Sequence, residues 1–298
     1  MRPSYLTPEA IHSFVDSALV EDIGDGDHSS LGSIPENRQT SARLLIKADG
    51  ILAGVELAQM IFSQVDPSLR VEIFKKDGER VNKGEVAFIV HGSARSILSS
   101  ERLVLNCMQR MSGIATYTNK LCSIIAGTKA RLMDTRKTTP NFRLMEKWAV
   151  HIGGGMNHRF ALYSMVMLKD NHVDMAGGIG NAVANTKEYL KKTGKDLRIE
   201  VETRTLAEVE EAISVGGVDV IMLDNMSVQE MKKAVARIGG RCKTEASGGI
   251  TEDTLRQVAE CGVDYISVGA LTHSVKSLDL SLKVVNPNSH PPIAIGGE

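Results

Sequence analysis

No apolar run among the 298 residues reaches the roughly 18 needed for a membrane-spanning helix. The opening Met1-Arg2-Pro3-Ser4-Tyr5 likewise lacks the apolar core of a signal peptide, so a cytoplasmic protein without membrane partners is expected. A basic surplus is missing too: 35 Lys and Arg stand against 36 Asp and Glu, a formal net charge of -1. Sequence-independent nucleic-acid binders carry a clear excess of cations, which makes nucleic acid an unsuitable partner. Paired CxxC spacing is absent. Cys107, Cys122, Cys242 and Cys261 lie far apart, which argues against structural zinc and for reduced, packed thiols. The acidic loop from Glu21 to Ser30 lacks the distant Glu that an EF-hand requires and reads as a solvated turn. Asp77 to Gly84 has the paired glycines of a lipoyl-type hairpin but no Lys flanked by Met at a tight turn, so a carrier role is set aside.

What the chain does have is a local concentration of positive charge. A short apolar run (Ala130, Leu132, Met133) leads into Asp134-Thr135-Arg136-Lys137-Thr138-Thr139-Pro140, and Pro140 opens a helical pattern with Phe142, Met145, Trp148 and Ala149. Gly153-Gly154-Gly155-Met156-Asn157-His158-Arg159 follows, and then a second strand-like run, Met165 to Leu168, ends in Lys169-Asp170-Asn171-His172. Arg136, Lys137, His158, Arg159 and Lys169 thus fall in one supersecondary unit. Like charges about 4 Å apart repel by roughly 4 kcal/mol at an effective dielectric near 20, so such a cluster asks for a multiply charged anion.

The remaining pattern places that cluster in a fold. Thr7-Pro8-Glu9 starts an amphipathic helix through Leu19. Strand-like runs at Ala42 to Ala48, Val71 to Phe74 and Val86 to Val90, with a helix from Leu57 to Val65, indicate a small N-terminal α+β sandwich domain over residues 1–112. Ser96 to Ala126 is helical, with Gly113 expected to separate or kink two helices; Arg102 and Arg110 lie on it and, taken singly, read as surface cations. From Ala130 onward a βα unit repeats, with runs at 130–133, 165–168, 197–201, 218–223, 244–246 and 265–268. Nearly every strand end carries a chemically useful group: Arg136 and Lys137, Lys169, Glu202, Asp224-Asn225, Ser247-Gly248-Gly249 and Gly269-Ala270. In a barrel these ends converge on one mouth, whereas an open sheet spreads them along an edge. The expectation is an α/β protein: an incomplete (β/α) barrel of about six strands over 113–273, a helix at about 274–286 returning to the first domain, and a tail at 287–298 with at most an edge strand at Ile293–Ile295.

The two glycine loops at the last strand ends, Ser247-Gly248-Gly249 and Gly269-Ala270, offer backbone N–H groups and a helix start to a phosphate. Glu202 and Asp224 suit ribose hydroxyls or Mg²⁺, or else pair with Lys169 or Arg136. Arg136 and Arg159 can grip carboxylates bidentately, while Lys137 and Lys169 act as point charges. By itself, His158 reads more readily as a core or capping histidine than as a ligand.

Taken together, Thr135-Arg136-Lys137-Thr138-Thr139-Pro140, Gly153 to Arg159, Lys169-Asp170-Asn171-His172, Glu200-Val201-Glu202, Leu223-Asp224-Asn225, Ser247-Gly248-Gly249 and Gly269 to Ser274 resemble the quinolinate phosphoribosyltransferase family. Glu21 to Asp27 and Ser100-Glu101-Arg102 also fit, so the resemblance covers about residues 5–285. It implies a decarboxylating pentosyltransferase of NAD biosynthesis that turns quinolinate and phosphoribosyl pyrophosphate into nicotinate mononucleotide, pyrophosphate and CO₂. It also implies a homodimer with shared active sites. By motif, Arg136, His158, Arg159 and Lys169 would bind the quinolinate carboxylates, joined by Arg102 of a neighbouring copy, and Lys137 would serve both substrates. Glu202 and Asp224 would serve ribose and Mg²⁺, directly or through water, and Ser247, Gly248, Gly249, Gly269 and Ala270 the 5-phosphate. Lys137, Lys169, Glu202 and Asp224 are the implied catalytic set. One departure stands out: Asn141-Phe142 replaces the Gly-Leu usual after the proline and leaves the cations untouched. Two other readings stay open, a transferase acting on a different anionic heterocycle and a non-catalytic sensor of phosphate ligands.

Overall fold

Thr7 accepts the N–H of Ala10 on its hydroxyl (3.1 Å) and Pro8 occupies the first turn, so α1 (Pro8–Ile23) begins where its sequence pattern places it. The computed structural model describes residues 3–285 and divides into two compact units. One contains the residues up to Thr116 and those from Lys276 on; the other is Tyr117–Val275. The division falls inside a helix, a few residues beyond the expected boundary after 112. The tail expected at 287–298, with its edge strand at Ile293–Ile295, lies outside the described residues.

In the first unit the acidic loop is only partly a loop. Asp27 caps α2 (His28–Ser33), accepting the N–H and hydroxyl of Ser30 at 3.1 and 2.5 Å, so its carboxyl sits below its ordinary value. Then come β1 (Gln39–Ile46), β2 (Gly50–Ile51), α3 (Val55–Val65), β3 (Arg70–Ile73), β4 (Arg80–Val81), β5 (Val86–Ser93) and α4 (Ala94–Ile124). A four-stranded antiparallel sheet runs in the order Leu280–Val284, β1, β5, β3, and β2 pairs with β4. Phe62 of α3 meets Phe88 of β5 edge to face, 5.8 Å between centroids, in the core of this unit.

Two expectations are corrected here. The terminal segment is a strand, Leu280–Val284, antiparallel to β1, and not a helix at 274–286. Leu278 and Leu282 satisfy a helical spacing and a strand alternation equally well, and the buried Leu280 between them decides for the strand. Likewise α4 is one helix of 31 residues with no break at Gly113. A Cβ on Gly113 would stand 2.3 Å from the Lys276 carbonyl oxygen, so glycine serves a close chain crossing there.

The second unit alternates β6 (Arg131–Met133), α5 (Arg143–Ile152), β7 (Val166–Leu168), α6 (Asp170–Ala176), α7 (Ile179–Thr193), β8 (Ile199–Thr203), α8 (Leu206–Val215), β9 (Val220–Asp224), α9 (Val228–Ile238), β10 (Lys243–Ser247), α10 (Glu252–Ala259), β11 (Tyr265–Ser267) and α11 (Ala270–His273). Its sheet is wholly parallel in the order β6, β11, β10, β9, β8, β7. Left-handed glycines at 194 and 239 close α7 and α9, as the spacing requires. β6 and β7 lie at opposite edges and form no ladder with each other. Instead Met156 runs beside β6, donating its N–H to Leu132 O (2.8 Å) and accepting that of Asp134 (3.2 Å). The sheet is nonetheless curled, because side chains of β8 and β10, two strands apart, converge on His158. An incomplete six-stranded barrel results, as expected. Among the described residues all four cysteines are free thiols, with burial pushing Cys107 up to about 12, and no helix is long and apolar enough to cross a membrane.

Candidate active site

Every strand of a parallel barrel ends on the same rim, so the polar residues after β6, β7, β8, β9, β10 and β11 share one mouth. Arg136 and Lys137 follow β6. Their loop is held by neighbours on α5 and α11: Glu146 accepts the Thr139 N–H and hydroxyl, both at 3.0 Å, and the Thr272 hydroxyl donates to Lys137 O at 2.7 Å. Arg143 donates from Nε to the Thr138 hydroxyl (3.0 Å) and from Nη1 to Phe160 O (3.3 Å), which ties the loop to the segment after Arg159. Asn141, where the resembled family carries glycine, is left-handed at φ 61°, a region Asn tolerates better than most residues. The departure is therefore conservative in backbone terms. Helix α5 starts at Arg143 rather than at Pro140, because the loop turns once more first.

Beneath this loop lies a fully buried ion pair. Lys147 of α5 meets Asp134 at the end of β6, and Asp134 also accepts the His158 N–H (2.9 Å) and the Asn157 side-chain amide (2.7 Å). Lys147 Nζ donates further to His158 O at 3.2 Å, and the Asn157 amide to Lys147 O at 2.8 Å. Burial raises the Asp134 carboxyl and lowers the Lys147 ammonium, while their mutual attraction opposes both shifts. The network fastens the 156–158 segment in the place that a closed barrel would give to a strand.

Arg136 and Arg159 issue from opposite ends of that network. Burial first, and then the charge of Arg136, pulls the Arg159 guanidinium below its ordinary value, so the two cations feel each other. Arg159 Nη1 donates to Met165 O at 3.3 Å, whereas the buried Nε of Arg136 finds no partner among the described residues. Lys169, exposed after β7, stands 3.3 Å from Glu202 at the end of β8. Asp224, ending β9, accepts the Asn225 amide at 2.7 Å. Asn225 is itself left-handed (φ 54°) and packs against the Ser247-Gly248-Gly249 loop. A Cβ on Gly248 would lie 2.3 Å from Asn225 Oδ1 at a φ of 90°, so both sterics and backbone require glycine. We expect Gly248→Ala to cost about 1–3 kcal/mol in thermal unfolding. Gly269 approaches Lys137 in the same way: a Cβ there would stand 3.0 Å from Lys137 Cδ, so this glycine brings the last loop to the first.

The mouth thus gathers Arg136, Lys137, Lys169, Glu202, Asp224, Ser247, Gly248, Gly249, Gly269 and Ala270, and Arg159 joins them from within the fields of both Arg136 and Glu200. Two expected residues are placed otherwise. Arg102 is exposed on α4 in the first unit. His158 is buried, and its ring is engaged within its own unit: Nδ1 accepts the Arg159 N–H at 2.7 Å, and Nε2 faces Glu200 at 3.1 Å and Glu245 at 3.4 Å. Burial disfavours a charged ring there while the two glutamates favour one and push His158 up to about 9; the Arg159 N–H on Nδ1 opposes a second proton, and the geometry is that of the neutral ring. Lys147, Arg143, Glu146 and Glu245 have no counterpart among the residues expected from sequence. A Lys inside the buried run Met145 to Val150 is the available signal for Lys147, and a Glu within a buried strand for Glu245.

Comparison with known proteins follows the same division. Residues 25–112 match the family model of the quinolinate phosphoribosyl transferase N-terminal domain, and residues 114–283 that of its C-terminal domain. The chain is 50% identical over 289 residues to the chloroplastic nicotinate-nucleotide pyrophosphorylase (carboxylating) of Oryza sativa subsp. japonica, spanning 92% of this chain and 77% of that one. Identity to the probable nicotinate-nucleotide pyrophosphorylase (carboxylating) of Bacillus subtilis is 44% over 270 residues, 91% and 92% of the two chains. The crystal structure of NadC from Streptococcus pyogenes superposes with a TM-score of 0.88 at 39% identity, covering 95% of this chain and all of that one.

Proposed function

The chain belongs to the quinolinate phosphoribosyltransferase family, and from that premise we propose that it joins quinolinate to phosphoribosyl pyrophosphate, releasing pyrophosphate and CO₂ and leaving nicotinate mononucleotide. The observation that carries the reading is the pair Arg136 and Arg159: two guanidiniums within each other's field, one with a buried donor still unspent. Neighbouring cations are best compensated by a ligand with two negative groups, and guanidinium suits carboxylates. A non-catalytic sensor of phosphate would need neither the second arginine nor the carboxylates Glu202 and Asp224.

In this reading Arg136, Arg159 and Lys169 hold the two carboxylates of quinolinate, with Arg102 supplied by a second copy of the chain in a homodimer. Lys137 stands between the acid and the pyrophosphate. The loops at Ser247-Gly248-Gly249 and Gly269-Ala270 cradle the 5-phosphate, and Glu202 and Asp224 take the ribose hydroxyls. These two carboxylates end adjacent strands and use one oxygen each on Lys169 and Asn225, a donor set that suits a hard cation keeping its waters and substrate phosphates. Mg²⁺ held there would neutralise charge on the departing pyrophosphate.

The pyridine nitrogen brings its own lone pair to C1 of the ribose, so no side chain is asked to act as general base. Positioning and preorganised charge supply the acceleration. Once the ring nitrogen is quaternary, loss of the 2-carboxylate as CO₂ leaves an electron pair beside a positive nitrogen, and that carbon then takes a proton. A cytoplasmic location remains part of the proposal; names of plant relatives place those proteins in chloroplasts or mitochondria. The test is purified protein with quinolinate, phosphoribosyl pyrophosphate and Mg²⁺, with nicotinate in parallel. Equimolar CO₂ and nicotinate mononucleotide from quinolinate, and none from nicotinate, is the expected result. Turnover of nicotinate, or of neither acid, would overturn the assignment.

A further inference from the structure

Glu200 of β8 and Glu245 of β10 point into the barrel with about 1% of their surface exposed, and both converge on Nε2 of His158. Two carboxylates in so dry a place are costly, and apolar residues of similar size would fill the space at no such cost. Their presence calls for a use at the site above them. Strand alternation puts Glu200 on the same face as Glu202, roughly 6.6 Å deeper along β8, so one glutamate belongs to the mouth and the other to the layer beneath it.

The three donor atoms lie within 4.8 Å of one another and could be taken for a metal site. The ring's other nitrogen decides against that. In this geometry Nδ1 accepts the Arg159 N–H, which holds the ring to one proton, on Nε2, against the pull of the glutamates toward a second; a metal would need a lone pair there. A second proton on Nδ1, which the two glutamates encourage, would displace that N–H; ring charge and turn geometry are therefore coupled. The main chain around the ring is fixed as well, by the His158 N–H on Asp134 and the Lys147 ammonium on His158 O. With ring and peptide both held, Arg159 can leave the turn in one direction only.

Resting on the reading of Arg136 and Arg159 as the grip on the dicarboxylate, we propose that Glu200 and Glu245 are positioning residues: they hold the His158 ring from inside the barrel and through it set the backbone and guanidinium of Arg159. The groups facing His158 are then Glu200 from β8, Glu245 from β10, Asp134 from the end of β6, Lys147 from α5 and Arg159 beside it. Arg159 in turn feels Arg136 and, directly, the charge of Glu200, so that glutamate also acts on the guanidinium without the ring between them. Neither glutamate touches substrate. Their loss misplaces one guanidinium and leaves the phosphate loops and Lys169 where they are.

The experiment compares wild type with Glu200→Gln, Glu245→Gln, Glu200→Ala and Glu245→Ala for KM of each substrate and kcat, alongside thermal melts. Wild type turning over quinolinate is the control that separates this inference from the functional reading it rests on. The alanine variants should raise KM for quinolinate by about tenfold or more, since a displacement near 1 Å at a binding group is enough for that. KM for phosphoribosyl pyrophosphate should stay within about twofold. The contacts at 3.1 and 3.4 Å are charge contacts and not aligned hydrogen bonds, and glutamine keeps the shape and an oxygen beside Nε2 without the charge, so its rise should be smaller but measurable. Should an alanine variant fail to fold, its glutamine counterpart decides. Wild-type KM for quinolinate in both glutamine variants, a parallel rise for both substrates, or stoichiometric metal in the purified protein would each overturn the proposal.

Discussion

Replacing Lys169 with alanine is expected to lower kcat/KM by about 10²–10³, a loss of about 3–4 kcal/mol of transition-state stabilisation, with a modest fall in melting temperature. Lys169 sits exposed at the end of β7, and its ionic partner at 3.3 Å is Glu202, buried at the rim, so its removal leaves that carboxylate uncompensated at a cost of about 1–3 kcal/mol, a fraction of a domain's stability. The fold should therefore tolerate the change that the chemistry cannot. Arg136→Ala should lose a similar factor, expressed more in KM for quinolinate because guanidinium grips the ground-state carboxylate too. Steady-state kinetics with both substrates varied would check this. Activity within a factor of about three of wild type in either variant would remove these residues from the site and the reading with them.

Lys147→Met should act in the opposite way, through stability. Its ammonium is fully buried against Asp134, and breaking a buried pair from one side leaves an uncompensated charge, at a cost of about 3–5 kcal/mol. Calorimetry should show the transition of the second unit falling by about 10 °C. A double variant, Asp134→Asn with Lys147→Met, should recover part of that loss, because neither charge is then left alone. If the single variant melted with wild type, the pair would not be the anchor of the 156–158 segment. Any activity that survives in Lys147→Met should show a raised KM for quinolinate, since Asp134 and Lys147 also hold the peptide from which Arg159 departs.

These two residues mark what a sequence can and cannot disclose. Lys169 is legible because it follows a short apolar run directly, and in a βα repeat the residue after a strand belongs to the rim. The same logic locates Arg136, Glu202, Asp224 and both glycine loops. It fails for Lys147, which lies in a helix whose amphipathic pattern gives no reason to bury a cation until its partner is known. It fails again for Glu245, whose short strand offers three buried residues and no hint of which faces inward. The terminal strand is mistaken for a helix for a related reason: Leu278 and Leu282 are four apart, a spacing common to a helix turn and to alternate strand positions, and only the pairing with β1 separates the two.

The alternation of apolar runs and helices, the six strand ends with their polar residues, and the motifs shared with the family were properties of the chain order alone. Strand ends are local features: direction and period are written in neighbouring residues, and parallel connection then forces the ends onto one rim. What lies under the rim was decided only by the tertiary structure. Whether β6 and β7 close the barrel, whether His158 faces the mouth or the interior, and which carboxylates meet it all depend on contacts between residues as far apart as Asp134, Glu200 and Glu245. No local pattern specifies such contacts, because burial of a charge is favourable only once its distant partner is in place.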